Sequence, residues 1–230
     1  MAHLTRSKAP KSWPIKRKET KWITRPNSGA HPLSRCISIN LLLKTILKHA
    51  DTTREVKYII NNKSIMIDKR TVNDQKFAVG FMDILDIPET KESYRVIINE
   101  LGEFILIPLK KELDNLKPCK IIGKRFLKGK KIQINLIDSK NIIVEKNSYG
   151  VGDTVIIDIT KNSIVDSLKL EEGCNVFLIG GKHMGVHGKV LKIIKEKSTN
   201  PDRILVKTKE LEFETLKAYA FVIDIKFIEK

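Results

Sequence analysis

The sequence predicts an α+β chain that is mainly β. Its parts are a basic N-terminal arm, a small two-helix unit, a central β domain and a C-terminal SH3-like β-barrel. Three observations carry this reading. Pro10, Pro14, Pro26 and Pro32 break any long helix in the first 36 residues. Apolar residues at helical spacing then occupy two short stretches after Arg35. From Tyr94 onward the apolar residues come in short runs or strict alternation, separated by turn residues. The expected divisions are 1–36, 37–93, 94–170 and 171–230.

The arm concentrates charge. Met1–Arg35 holds nine basic side chains against the single acid Glu19, a local charge of +8, half of the chain's net +16. A field of that sign favours a polyanion, either nucleic acid or an anionic membrane surface. The candidate phosphate-binding residues are Arg6, Lys8, Lys11, Lys16, Arg17, Lys18, Lys21 and Arg25. The two tryptophans of the chain, Trp13 and Trp22, both lie inside this charge run. Aromatic rings offer faces to unstacked bases. An arm ordered by nucleic acid fits that pairing better than a solubilising tail, which rarely carries all of a protein's tryptophan.

Ser38–Ala50 is the first expected helix. Ile39, Leu42, Leu43, Ile46, Leu47 and Ala50 form one stripe, with Ser38 as N-cap and Lys44 and Lys48 on the opposite face. The second starts at a capping box, Thr52 with Glu55, and buries Val56, Ile59 and Ile60 while Arg54 and Lys57 project elsewhere. These four cations are either an ordinary solvated face or part of the binding surface. A short strand at Ser64–Asp68 and an apolar segment through Phe81, Ile84, Leu85 and Ile87 complete the unit.

A hairpin is expected from 95–99 to 104–107, a short helix over 110–116, and a basic loop carrying Lys124, Arg125, Lys128, Lys130 and Lys131. Ile132–Leu136 alternates strictly and is answered by Asn141–Glu145, and Val155–Ile159 follows Gly152-Asp153. The last strands are Val176–Ile179, Lys189–Ile194, Arg203–Thr208 and Tyr219–Phe227. Between the first two of these, four of the chain's 12 glycines fall within nine positions, 180–188. Gly181, Gly185 and Gly188 are expected to form either a tight hairpin turn with solvated basic residues or a turn whose peptide groups come close to a ligand, with Lys182, His183, His187 and Lys189 beside it.

Several classes are disfavoured. No apolar run approaches the 18 residues of a membrane span, and the N-terminus lacks the apolar core of a signal peptide. Cys36, Cys119 and Cys174 are isolated singles, which fits a reducing compartment and removes a zinc ribbon. Gly181-Lys182 is not a phosphate-binding loop, because the positions that would need glycine and a hydroxyl are Val176 and His183. No metal, cofactor, small-molecule substrate or catalytic set is expected.

His3-Leu4 with Arg6, Ala9-Pro10 with Trp13, Arg25-Pro26 with Ser28-Gly29 and His31, and Leu33 with Cys36 form an ordered series. Gly80-Phe81-Met82-Asp83, Val151-Gly152-Asp153-Thr154, Asp166 with Lys169, and Gly173 through Gly188 continue it. In order and spacing the chain resembles the archaeal and eukaryotic (e-type) small-subunit ribosomal protein four family. The resemblance implies an arm, the two-helix RNA-binding fold shared with bacterial ribosomal protein four, a central β domain and a barrel with a KOW motif at the glycine turn. It also implies a structural, non-catalytic, cytoplasmic protein that binds small-subunit ribosomal RNA beside neighbouring ribosomal proteins, with His31 added to the RNA-binding set. The chain stops at Lys230, where eukaryotic members carry a further basic tail, which fits an archaeal-type member. Two other functions compete: an extra-ribosomal KOW-type RNA-binding regulatory factor, and an RNA-modifying enzyme, for which residues 90–170 are too short.

Overall fold

The computed structural model describes residues 3–63, 65–109, 113–145, 147–196, 200–208 and 211–228. The chain divides into two compact units, the first made of residues 1–98 and 102–115, the second of 99–101 and 116–229. Strands dominate both.

In the first unit β1 (Leu4–Thr5) pairs antiparallel with β2 (Trp22–Ile23), and β3 (Cys36–Ser38) with β6 (Ala78–Gly80). A five-stranded antiparallel sheet has the order β5 (Arg70–Thr71), β4 (Met66–Ile67), β7 (Ile84–Ile87), β8 (Glu92–Ile98), β9 (Phe104–Pro108). The expected hairpin is β8–β9, with Ile98 opposite Phe104. A division at 93/94 would cut through β8, whose N-terminal half pairs with β7. These strands therefore belong with the helices.

The first helix is much shorter than its apolar stripe suggests. α1 covers Ile39–Leu41, with the Ser38 hydroxyl accepting from the Leu41 N–H at 3.4 Å, and the next turn, Leu42–Ile46, is a π-helix. The Leu47 N–H reaches the Leu42 carbonyl, and the Thr45 hydroxyl takes the Leu41 carbonyl at 2.6 Å. A threonine bonding back to the preceding turn competes with the regular ladder. Lys48, at φ 56°, then ends the segment in the left-handed conformation. Ile39, Leu42 and Leu43 are fully buried, so the stripe still faces a core. α2 (Thr53–Lys63) forms as its capping box requires: the Glu55 N–H donates to the Thr52 hydroxyl at 3.2 Å, and the Glu55 carboxylate accepts from the Asp51 and Thr52 amides.

The second unit holds two antiparallel five-stranded sheets. One runs β12 (Asn141–Val144), β11 (Ile132–Leu136), β10 (Leu116–Phe126), β13 (Thr154–Asp158), β14 (Ser163–Leu168). Its inner face packs Cys119, Ile121, Ile134, Leu136, Val155 and Ile157. The other runs β18 (Glu212–Leu216), β17 (Arg203–Lys207), β16 (His187–Ile194), β15 (Asn175–Leu178), β19 (Ala220–Val222) around Val176, Val190, Ile204, Val206, Ala220 and Val222.

Three expectations are corrected. β10 extends to Phe126, so Lys124 and Arg125 stand on a strand rather than in a basic loop. Its buried run includes two lysines: Lys117 lies 3.5 Å from Asp138, and Lys120 donates to the carbonyls of Lys217, Ala218 and Ala220. The strand expected over 219–227 is only β19, followed by a 3₁₀ turn at Ile225–Phe227. The short helix expected over 110–116 falls partly outside the described residues, and Leu116 itself begins β10.

Candidate nucleic-acid interface

The arm is held by its own side chains. Arg6 follows β1, and all three guanidinium nitrogens are engaged: Nε donates to the Thr20 carbonyl at 3.0 Å, Nη1 to the Lys16 carbonyl at 2.8 Å and Nη2 to the Thr20 hydroxyl at 2.9 Å. Glu19 completes the set, 3.1 Å from Nη1. Arg6 thus ties the two ends of a loop together, and its planar fork suits that task. Arg17 reaches back to the carbonyls of Ser7, Ala9 and Pro10 while remaining exposed.

The other arm cations point outward. Lys8, Lys11, Lys16, Lys18, Lys21 and Arg25 are exposed. Among the described residues only Lys16 of these nears a carboxylate, Glu19 at 4.0 Å, a carboxylate already held by Arg6. Like charges held together raise the local positive potential, and such side chains bind phosphates by replacing the cations condensed on the nucleic acid.

The tryptophans separate. Trp22 on β2 is 53% exposed, with Lys21 Nζ 5.2 Å from its ring centre and the His3 ring 5.4 Å away at a 53° tilt. Trp13 is 2% exposed, and its indole N–H donates to the Cys36 carbonyl at 2.6 Å. It is a core residue, and the expectation that it stacks on bases is corrected. The carbonyl of its neighbour Ser12 accepts from the Phe104 amide at 2.9 Å, which anchors this part of the arm to β9.

His31 is corrected for the same reason. It is buried, with Nε2 3.1 Å from both oxygens of buried Asp83. Asp83 also accepts from the Gly80 amide at 2.7 Å, and a Cβ on Gly80 would lie 2.3 Å from the His31 ring. The Gly80–Asp83 motif is therefore a seat for His31. Burial pushes the adjacent Cys36 thiol up to about 11, with the Asp83 charge adding to the effect.

On the helical part, Lys48, Arg54 and Lys57 are exposed and Lys44 is half-buried. Lys48 lies beyond the π-turn, so it does not share a helix face with Lys44. Tyr58, 66% exposed, sits beside Lys57 on α2 and carried no distinguishing sequence signal.

In the second unit the turn after β15 closes through the Gly185 amide to the Leu178 carbonyl at 2.8 Å and the Leu178 amide to the Val186 carbonyl at 3.0 Å. Gly181 (φ 84°) and Gly185 (φ 89°) take left-handed conformations. Gly188 does not: it is in β16, and glycine is required there because a Cβ would meet the Lys207 carbonyl at 2.6 Å. Lys182 is exposed near the tip. His183 is half-buried and stacked on Phe213, ring centres 3.9 Å apart. His187 and Lys189 emerge from β16 and, with Lys207, edge a cavity of about 650 Å³ that Val176, Ile223, Ile225 and Ile228 make mainly apolar.

Known proteins share this chain's sequence and fold. Residues 2–34 match the RS4NT (NUC023) domain and residues 90–164 the ribosomal family S4e. The small ribosomal subunit protein eS4 of Methanosphaera stadtmanae is 38% identical over 221 residues, covering 96% of this chain and 91% of that one. The eS4 of Archaeoglobus fulgidus is 36% identical over 228 residues, covering 99% and 95%. The crystal structure of the 30S ribosomal protein S4e from Thermoplasma acidophilum superposes with a TM-score of 0.71 at 31% identity, over 82% of this chain and 95% of that one. With identity at this level along nearly the whole length, the chain belongs to the small ribosomal subunit protein eS4 family.

Proposed function

We propose that this protein is a structural constituent of the small ribosomal subunit that binds the subunit's RNA by phosphate neutralisation and shape, without catalysis. The observation that carries the reading is the arm: six exposed cations, Lys8, Lys11, Lys16, Lys18, Lys21 and Arg25, on a segment whose one acid is held by Arg6. Membership of the eS4 family supports the same assignment. Phosphate contacts position a protein on RNA and carry no base information themselves. Lys48, Arg54 and Lys57 on the helical part and Lys182, His187 and Lys189 on the glycine-turn sheet extend the binding set. The helical part then corresponds to the RNA-binding fold of bacterial ribosomal protein four, and the last sheet to an SH3-like barrel with a KOW motif. Neighbouring small-subunit proteins and a cytoplasmic location follow from such a role. Sucrose-gradient sedimentation of cell extract tests it: the protein is expected with small subunits at moderate salt. Its confinement to the top of the gradient would overturn the assignment and favour an extra-ribosomal regulatory factor.

A further inference from the structure

We propose that the cavity beside Trp22 receives one unpaired nucleobase of the bound RNA, with backbone phosphates of the same strand on Lys21 and Arg25. This rests on the RNA-binding reading above and adds a specific base-holding site to it. The cavity, about 290 Å³, is lined by His3, Leu4, Trp22, Ile23, Thr24, Arg25, Gln75 and Lys76. Among the described residues no carboxylate lines it. Its size lies at the lower end of ligand clefts, suited to one base rather than a duplex.

Two walls are fixed by the fold. On one side Trp22 is held by β1–β2 pairing opposite Thr5, and the His3 ring meets it at a tilt, so among the described residues no parallel ring covers the indole. On the other side, the loop carrying Gln75 and Lys76 is pinned: the Lys76 carbonyl accepts from the Asn27 amide at 2.8 Å, and the Asn27 side chain donates to Asp74 at 2.5 Å. The Asn40 amide occupies the Gln75 side-chain oxygen at 3.2 Å, which directs the amide nitrogen of Gln75 to donate elsewhere, as to a base edge. An exposed indole, cations flanking its strand and a polar opposite wall are the parts of a single-strand stacking platform.

The test uses the full chain and three probes: small-subunit ribosomal RNA, a single-stranded homopolymer and a perfect RNA duplex. Trp22 is the exposed tryptophan and Trp13 the buried one, so quenching by RNA reports on Trp22. The single strand is expected to quench the wild type, the duplex to leave it bright, and W22F to show only unquenched Trp13. W22A is expected to lower ribosomal RNA affinity about five- to 150-fold, since stacking contributes that much per base, while the slope of log affinity against log salt stays the same. R25Q is expected to reduce that slope. Wild-type RNA binding with W22A affinity unchanged, or equal quenching by duplex and single strand, would overturn the base pocket and leave the ribosomal role standing. Quenching by the single strand with no affinity for ribosomal RNA would do the reverse.

Discussion

The Trp13 indole N–H donates to the Cys36 carbonyl at 2.6 Å and fastens the arm to β3. A buried indole adds a large apolar area to one satisfied hydrogen bond. Trp13→Ala is expected to cost about 3–5 kcal/mol in chemical denaturation. Trp13→Phe keeps most of the packing but orphans the carbonyl, at about 1–3 kcal/mol. Cys36 reports the same event. In the wild type its thiol, 1% exposed and raised to about 11, should resist alkylation at pH 8, and Trp13→Ala should make it react. Protection of Cys36 in Trp13→Ala would show that the arm stays docked without the indole.

Gly185 and Asn99 set the second prediction. A Cβ at Gly185 would lie 1.7 Å from the Asn99 carbonyl oxygen, at a residue whose φ is 89°. Gly173 has a similar φ, 88°, with nothing within 4 Å of the added carbon. Gly173→Ala is therefore expected to cost only backbone strain, on the order of 1 kcal/mol. Gly185→Ala should cost that plus a collision with a backbone atom, and so fall well below it in melting temperature. Equal melting temperatures for the two variants would show that the 99–101 segment moves aside freely.

For the arm, changing Lys11, Lys16, Arg17 and Lys18 together to Ala removes three free cations and one engaged by arm carbonyls, and should flatten the salt dependence of RNA affinity by about two to three. Arg6→Ala should behave differently. It removes four contacts within the arm, so protease cleavage between residues 7 and 20 should accelerate. An unchanged salt slope in the quadruple variant would remove the arm from the phosphate-binding set.

At the start of α2, the Asp51 amide, then the Thr52 side chain and amide, hold the Glu55 carboxyl below its ordinary 4.5. A group lowered in the folded state contributes stability that is complete above its unfolded pKa and lost as pH falls through the folded value. Amide-exchange protection at Asp51 and Thr52 should therefore persist at neutral pH and decline below about pH 4.5. In Glu55→Ala it should be low throughout. Protection independent of pH in the wild type would show that the capping box does not depend on the carboxylate charge.

Much of this protein was legible without coordinates. The capping box, the β8–β9 and β11–β12 hairpins and the Ile204/Val206 face of β17 depend on residues close in sequence, and local hydrogen bonding and side-chain alternation decide them. The surplus of arm charge is a sum over composition and needs no structure. What only the tertiary structure decided is which members of a chemically uniform set are free. Trp13 and Trp22 look alike in a basic segment, yet one lies against Cys36 and the other faces solvent. Arg6 and Arg17 look like phosphate ligands, yet arm carbonyls take their donors. Lys117 and Lys120 look like a solvated edge, yet Asp138 and three carbonyls of a distant segment satisfy them in the interior. Burial of a polar group depends on partners remote in sequence, and no local pattern encodes them.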